Sequence, residues 1–270
     1  MAPKITRFAD MAFIAERFDP KTDEFLYTTF AVIEEDDSVY FGQVSKPKLQ
    51  ITLDEFTTAL VRVPDAEIYP VFSPDGELTA APDNDKPLSS DLYLKRTRLF
   101  SYGEYKEQDC VDIIPALVLE EAQMLEKLSD HPHPGIIRYH GCRVQRGVIT
   151  GLVLDKHVGD LKTYLVHKKG PPLEKGAFME ALGSAIAHLH ALGLAHNDVN
   201  PRNILVNSSG LPVLADFDSC RPVAEKLTFS RGTKGWIDET ESYTTSETRH
   251  DIYGMEKVGA WLDEQTAGVV

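Results

Sequence analysis

Hydrophobic and polar positions change period several times along this chain, and each change marks a predicted element. Phe25-Leu26-Tyr27-Thr28-Thr29-Phe30-Ala31-Val32-Ile33 is a run of β-branched and aromatic residues, Glu34 to Asp37 is an acidic turn, and Val39-Tyr40-Phe41 returns, so residues 25 to 45 read as a hairpin. The period then becomes helical. Thr52 is a capping residue with Glu55 three positions on, and Phe56, Leu60 and Val63 share one face, which predicts a helix from Thr52 to Val63. Pro, Asp and Gly dominate from Pro64 to Ser90, with short strand candidates at 68–72 and 78–80. A strand at Leu92–Lys95 follows, then a long connection to an amphipathic helix over Ile113–Leu128 with Leu117, Leu125 and Leu128 on one side. The run Ser129-Asp130-His131-Pro132-His133-Pro134-Gly135 ends that helix, and its two histidines flank a proline as in a turn rather than a metal site. Strands are predicted at Ile136–Tyr139 and Val148–Leu154, a helix at Ala177–Leu192, a short β-ribbon from Ile204–Val206 and Val213–Ala215, and a last helix over Thr245–Leu262. No repeat or low-complexity segment interrupts this order.

Length and charge narrow the picture. The 270 residues suffice for one large core or two lobes. A formal net charge of -14 argues against nucleic acid or an anionic membrane as the main partner. It also means that any phosphate-bearing ligand needs local cations, because the overall field repels it. The three cysteines, Cys110, Cys142 and Cys220, are far apart, odd in number and without a Cys-x-x-Cys spacing, as in a reducing compartment. The N-terminus lacks an apolar signal core, and no run approaches the length of a membrane span. The expectation is a cytoplasmic protein, with a nuclear address left open.

Candidate chemistry concentrates in His196-Asn197-Asp198-Val199-Asn200-Pro201-Arg202-Asn203 and, thirteen residues after Asn203, Asp216-Phe217-Asp218. Phosphoryl transfer needs a carboxylate beside the acceptor hydroxyl and further oxygen ligands for magnesium on the nucleotide phosphates. Asp198, Asn203 and Asp216 supply such a set, and the flanking ribbon would hold the last two on one cleft.

In order and spacing these residues resemble the protein kinase-like superfamily. Ala122-Gln123-Met124-Leu125-Glu126-Lys127-Leu128, the following His-Pro and Ile136-Ile137-Arg138-Tyr139-His140-Gly141 look like the kinase C-helix, its exit and the next strand. Leu189-His190-Ala191-Leu192-Gly193-Leu194-Ala195-His196 looks like the entry to the catalytic loop. Gly232-Thr233-Lys234-Gly235-Trp236 resembles the end of an activation segment, and Asp251-Ile252-Tyr253-Gly254 the start of the F-helix. More narrowly, His-Asn-Asp-Val-Asn-Pro and Asp-Phe-Asp-Ser-Cys resemble short, divergent kinase-like proteins of filamentous fungi.

The resemblance implies an α+β, bilobal kinase-like fold. Its parts would be an N-terminal extension over 1–64, a small β-rich N-lobe over 65–154 and a truncated, mainly helical C-lobe over 155–270. It implies ATP and Mg2+, with Asp198 accepting the proton of the attacking hydroxyl, Asn203 and Asp216 holding magnesium, and Lys95 pairing with the α/β-phosphates and Glu121. Glu120 is the alternative to Glu121. Adenine contacts would fall in Leu154, Asp155, Lys156 and His157, with Asp160 near the ribose; His196, Phe217 and Asp251 would be structural.

Four departures accompany the resemblance. No Gly-x-Gly-x-x-Gly occurs upstream, where Ser73-Pro74-Asp75-Gly76 is the nearest substitute for a phosphate lid. Asn200 stands where protein kinases place a lysine, Asp218 where they place glycine, and Asn197 where they place the arginine that clamps a phosphorylated loop. Two functions stay open on these residues. One is an ATP/Mg-dependent phosphotransferase acting on a protein or small-molecule hydroxyl, protein Ser/Thr favoured; the other is a pseudokinase serving as a binding module. Oligomeric state has no signature in the sequence.

Overall fold

The computed structural model describes residues 2–82, 88–167, 170–227 and 232–267. In chain order the elements are β1 (Phe13–Phe18), β2 (Phe25–Ile33), β3 (Val39–Val44), α1 (Leu53–Ala59), β4 (Val61–Arg62), β5 (Leu92–Arg96), α2 (Tyr102–Glu107), α3 (Ile113–Ser129), β6 (Tyr139–Gln145), β7 (Val148–Asp155), β8 (Gly159–Asp160), α4 (Leu161–His167), α5 (Lys175–Ala191), β9 (Leu194–Ala195), β10 (Ile204–Val206), β11 (Pro212–Leu214), β12 (Arg221–Pro222) and α6 (Thr248–Ala267). The class is α+β, with a β-rich N-terminal part and a helical C-terminal part. The chain forms two compact units: residues 1–85, 95–119 and 142–152 make the first, and residues 86–94, 120–141 and 153–270 the second. Among the described residues no helix is long and apolar enough to cross a membrane.

The first unit is built on an antiparallel sheet in the order β1-β2-β3-β4. The expected hairpin is its centre, with Phe30 opposite Gly42 and Ile33 opposite Val39. Strand β1 was not expected, because Phe-Ile-Ala-Glu-Arg-Phe alternates poorly and none of its residues is fully buried. The helix expected at Thr52–Val63 is shorter. Its capping box is present, Thr52 Oγ1 accepting from Glu55 N at 3.2 Å and Glu55 Oε2 from Thr52 N at 2.9 Å. It stops at Ala59 because Val61 and Arg62 pair with Phe41 and Tyr40 of β3, a sheet edge overriding the helical period. One side of the sheet closes over Phe30, Phe56, Ile51 and Leu60, with Phe30 and Phe56 edge to face at 4.7 Å. A second cluster gathers Val39, Val63, Ile68, Tyr69, Leu99, Tyr102 and Ile114. Each such side chain contributes roughly 1.5–3 kcal/mol on burial.

Two further differences are local. The strand candidates at 68–72 and 78–80 shrink to single bridges, Val71 with Val148 and Ala80 with Cys142, in a stretch broken by Pro70 and Pro74. Helix α2 lies inside what the sequence presented as a connection.

In the second unit α5 packs on α6 and on β11. Phe178, Leu182, Ile186 and Leu189 of α5 are buried, as are Val258 and Leu262 of α6. The ribbon pairs antiparallel as expected, Ile204 opposite Leu214 and Leu205 opposite Val213, and β8 extends it on the other edge of β10. Ile136 and Ile137 were expected in a strand with Tyr139. Instead they run beside β11, with Ile137 N donating to Leu214 O at 2.9 Å, and β6 begins only at Tyr139.

Candidate active site

The second unit brings residues 196–203 together. Helix α5 ends at Ala191, Gly193 turns the chain, and β9 pairs with β12 to launch residues 196–203. His196 is fully buried: its Nδ1 accepts from Asp198 N at 3.3 Å and its Nε2 donates to Ala215 O at 3.0 Å. Its ring lies 5.0 Å from that of Phe217, also buried. These contacts join the loop before Asp198 to the segment carrying Asp216. Asp251, on the first turn of α6, is fully buried and accepts from His196 N at 2.9 Å, Asn197 N at 2.7 Å and His190 Nε2 at 2.9 Å. Two backbone hydrogen bonds thus anchor the loop to one carboxylate, and the third ties that carboxylate to α5.

The carboxylate of Asp198 is held from four directions. Its Oδ1 accepts from Asn200 Nδ2 at 3.0 Å and Thr233 N at 2.8 Å, and its Oδ2 from Asn203 Nδ2 at 2.9 Å and Thr233 Oγ1 at 3.0 Å. Asn203 Nδ2 also donates to Asp198 O at 2.9 Å. With its amide nitrogen committed to Asp198, Asn203 turns its carbonyl oxygen away from that carboxylate. Ala215 N donates to Asn203 O at 2.9 Å, which sets Asn203 and Asp216 at the same end of the β10–β11 ribbon. Asp216 has a left-handed backbone, φ 64°, and precedes the tight turn Phe217–Ser219. An amide oxygen and a carboxylate at one ribbon end are a donor set suited to a hard divalent cation that keeps phosphate or water as its other ligands. Among the described residues no group of three His, Cys, Asp or Glu side chains forms a metal site.

Glu121 is buried on α3 and its Oε1 accepts from Phe217 N at 3.2 Å. Glu120, one position earlier, pairs instead with Arg221. Of the two glutamates the sequence left open, it is Glu121 that faces the Asp216-Phe217 segment. Lys95 lies on β5 in the first unit, half-buried. Leu154 is buried at the end of β7; Asp155 Oδ1 meets His140 Nε2 at 2.6 Å. The N–H groups of Asp155 and Lys156 are spent on Arg138 O and Asp91 O at 3.0 and 2.8 Å. Burial pushes the His157 imidazole below its ordinary pKa, and among the described residues its enclosed Nε2 has no hydrogen-bond partner. Asp160 caps α4, accepting from Thr163 N at 3.0 Å and Thr163 Oγ1 at 2.6 Å. Ser73-Pro74-Asp75-Gly76 is a turn closed by Gly76 N on Ser73 O at 3.0 Å.

Two residues that the sequence marked only as departures have definite work. Asn197 is buried with φ 63°, and its Nδ2 donates to Ala195 O, Ser219 O and Ser246 Oγ at 2.9, 3.1 and 3.0 Å. Its Oδ1 accepts from His250 Nδ1 at 2.9 Å. It forms a fixed, uncharged tie between loop and α6. Asn200 bridges Asp198 and Thr233, Nδ2 to Thr233 Oγ1 at 3.3 Å, but brings no positive charge. Thr233 itself was recognisable only as part of Gly-Thr-x-x-Trp; nothing in its spacing announces Asp198 as its partner. Glycine is required at two approaches. A Cβ on Gly232 would lie 2.3 Å from Ile237 Cγ2, and one on Gly254 would lie 2.6 Å from Val199 O. Cys220 is fully buried, and burial, reinforced by the Asp251 charge, pushes its thiol far above the ordinary range, so it is inert.

Parts of this chain are similar to known proteins. The serine/threonine-protein kinase/endoribonuclease IRE2 of Homo sapiens is 34% identical over 137 residues, which are 45% of this chain and 14% of that protein. The serine/threonine-protein kinase Tao of Drosophila melanogaster is 32% identical over 148 residues, 53% of this chain and 13% of that protein. Cyclin-dependent kinase 4 of Xenopus laevis is 35% identical over 115 residues, 40% of this chain and 36% of that protein. The chain thus spans a minor part of the length of each of these curated relatives. The family described as Protein kinase domain matches residues 98–256, more than half of the chain and all of the loop, ribbon and α6 anchor described above, and the chain belongs to that family.

Proposed function

We propose that this protein is an ATP- and magnesium-dependent phosphotransferase that delivers phosphate to a hydroxyl group, with protein Ser/Thr as the favoured acceptor. The observation that carries the reading is the Asp198 carboxylate, fixed by Asn200, Asn203 and both donors of Thr233. In this role Asp198 orients the acceptor hydroxyl and takes its proton as the oxygen attacks the terminal phosphorus; the bond from that phosphorus to the bridging oxygen breaks and ADP leaves. Asn203 and Asp216 would hold Mg2+, which supplies charge neutralisation on the phosphates when bound. Lys95 and Glu121 are the proposed phosphate-anchoring pair. Adenine would meet the carbonyl oxygens of Leu154, Asp155, Lys156 and His157, since two of the N–H groups there are already engaged. The Gly232-Thr233 segment held against Asp198 supports a peptide acceptor, because a hydroxyl reaching that carboxylate passes beside it. The His196–Pro201 form supports the narrower placing among short kinase-like proteins of filamentous fungi, and three free cysteines support a cytoplasmic site of action.

A second reading, a pseudokinase, is favoured by one specific feature: Asn200 puts a neutral amide where a cation ordinarily neutralises the transferring group. Asp198→Asn separates the two. It retains size and shape, so nucleotide binding should persist while transfer of labelled terminal phosphate to a peptide library or metabolite extract falls by at least about a thousandfold. Transfer that is undiminished in the variant rejects the base assignment; no transfer by the wild-type protein to either acceptor class favours the pseudokinase.

A further inference from the structure

Residues 1–64 lie outside the part of the chain that matches the kinase family, yet one of them reaches the sheet that carries Lys95. Asp37, in the β2–β3 turn, is fully buried with φ 61°. Its Oδ1 accepts from Arg96 Nη2 at 2.9 Å and from Arg96 Nε at 3.3 Å, and its Oδ2 accepts from Arg143 Nε and Thr150 Oγ1, each at 2.9 Å. Those donors stand on β5, β6 and β7 in turn. A single carboxylate therefore gathers one side chain from every strand of the β5-β7-β6 sheet. The turn is itself pinned. Asp37 O accepts from Tyr69 OH at 2.9 Å, Arg146 donates to Asp36 O, and Arg146 Nε pairs with Asp65 Oδ2 at 2.8 Å.

Side chains alternate along a strand, so Arg96 and Lys95 leave β5 on opposite faces. Fixing Arg96 from one side therefore fixes the strand rotation that aims Lys95 from the other. Asp37 is 0% exposed, Arg143 14% and Arg96 41%, so the Arg143 pair is little screened and the Arg96 pair is screened on its outer side only. We propose that Asp37 is a positioning residue, supplied by the N-terminal extension, that sets the β5 register and with it the aim of Lys95 at nucleotide phosphates. The proposal rests on the phosphotransferase reading for its effect on nucleotide, but not for its effect on the sheet.

The test compares Asp37→Asn with Phe56→Leu, which weakens the extension's own core without touching this cluster. Asparagine keeps the shape but turns an amide N–H toward a guanidinium or hydroxyl donor. The first readout is hydrogen exchange, by mass spectrometry, of a peptide covering Leu92–Arg96 without nucleotide. Asp37→Asn should speed exchange there, whereas Phe56→Leu at a matched fall in melting temperature should not. The second readout is kinetic: Asp37→Asn should raise the KM for MgATP about tenfold with a smaller change in kcat. If Asp37→Asn does not fold, Arg96→Gln at a half-exposed position should give the same direction with smaller size. Unchanged β5 exchange in Asp37→Asn, or equal exchange in the Phe56→Leu control, overturns the proposal. Wild-type protein without nucleotide affinity would sink the phosphotransferase reading and leave the exchange result to decide this one.

Discussion

Replacing Asn197 with alanine tests most sharply how the loop is held. The amide donates to three acceptors, Ala195 O, Ser219 O and Ser246 Oγ, and accepts from His250 Nδ1 at 2.9 Å and Glu247 N at 3.3 Å. Alanine leaves two buried donors and two buried carbonyls without that partner. With unsatisfied buried groups costing about 1–3 kcal/mol each and partial relaxation around the small cavity, the hydrogen-bond loss comes to about 2–4 kcal/mol. The backbone adds to it. Asn197 sits at φ 63°, where a Cβ without a polar side chain costs roughly 1 kcal/mol more. The sum, about 3–5 kcal/mol, corresponds to a fall of roughly 6–20 °C in melting temperature for a chain of this size. Urea unfolding followed by circular dichroism measures the free energy directly. Asn197→Gly should recover about 1 kcal/mol of the alanine loss, because glycine tolerates the left-handed backbone. A loss below about 1 kcal/mol in Asn197→Ala would show that the amide is not the tie described here, and no difference between the two variants would reject the backbone contribution.

Stability should also fall with pH above the range where carboxylates titrate. Burial lowers the imidazole pKa of His133, His157 and His250 from the ordinary 6.5, so the folded state keeps them neutral while the unfolded chain takes up protons. Their contribution is therefore full above about pH 6.5 and is lost as pH drops from there toward the folded-state values. Melting temperature should decline between pH 7.5 and 5.5, less steeply in His250→Gln; a flat profile contradicts it. On α6, two glycines should answer alanine with opposite signs. A Cβ on Gly254 meets Val199 O at 2.6 Å, so overpacking of about 1–3 kcal/mol outweighs the helix-propensity gain. A Cβ on Gly259 meets only the flexible Met179 side chain, Cε at 3.4 Å and Sδ at 4.0 Å, so Gly259→Ala should stabilise by up to about 1 kcal/mol. Equal signs in thermal unfolding would refute this.

What could be read from the chain in advance divides along physical lines. The Phe25–Phe41 hairpin, α3, α5 and the β10–β11 ribbon were legible because each carries its own period and end signals. The early end of the Leu53–Ala59 helix and the late start of β6 were not, since long-range strand pairing decided both. At the candidate site, the proposed roles of Asp198, Asn203 and Asp216 were read from residue type and spacing. Thr233, Asn197 and Asp37 did not, because their partners lie 35, 53 and 113 residues away at the farthest, and no local pattern encodes a buried amide or carboxylate finding donors on other elements.

Nucleotide-dependent thermal stabilisation, measured with and without magnesium in the wild type and in Asp216→Asn, addresses the phosphotransferase reading at its centre. A ligand that binds only the folded state must raise the melting temperature, by the equivalent of about 2.7 kcal/mol at a hundredfold excess over Kd. ATP with magnesium should stabilise the wild type, chelation should remove most of that gain, and Asp216→Asn should show no magnesium dependence. No shift at millimolar ATP and magnesium, or an undiminished magnesium dependence in Asp216→Asn, would contradict the assignment of this loop and ribbon to a metal-held nucleotide.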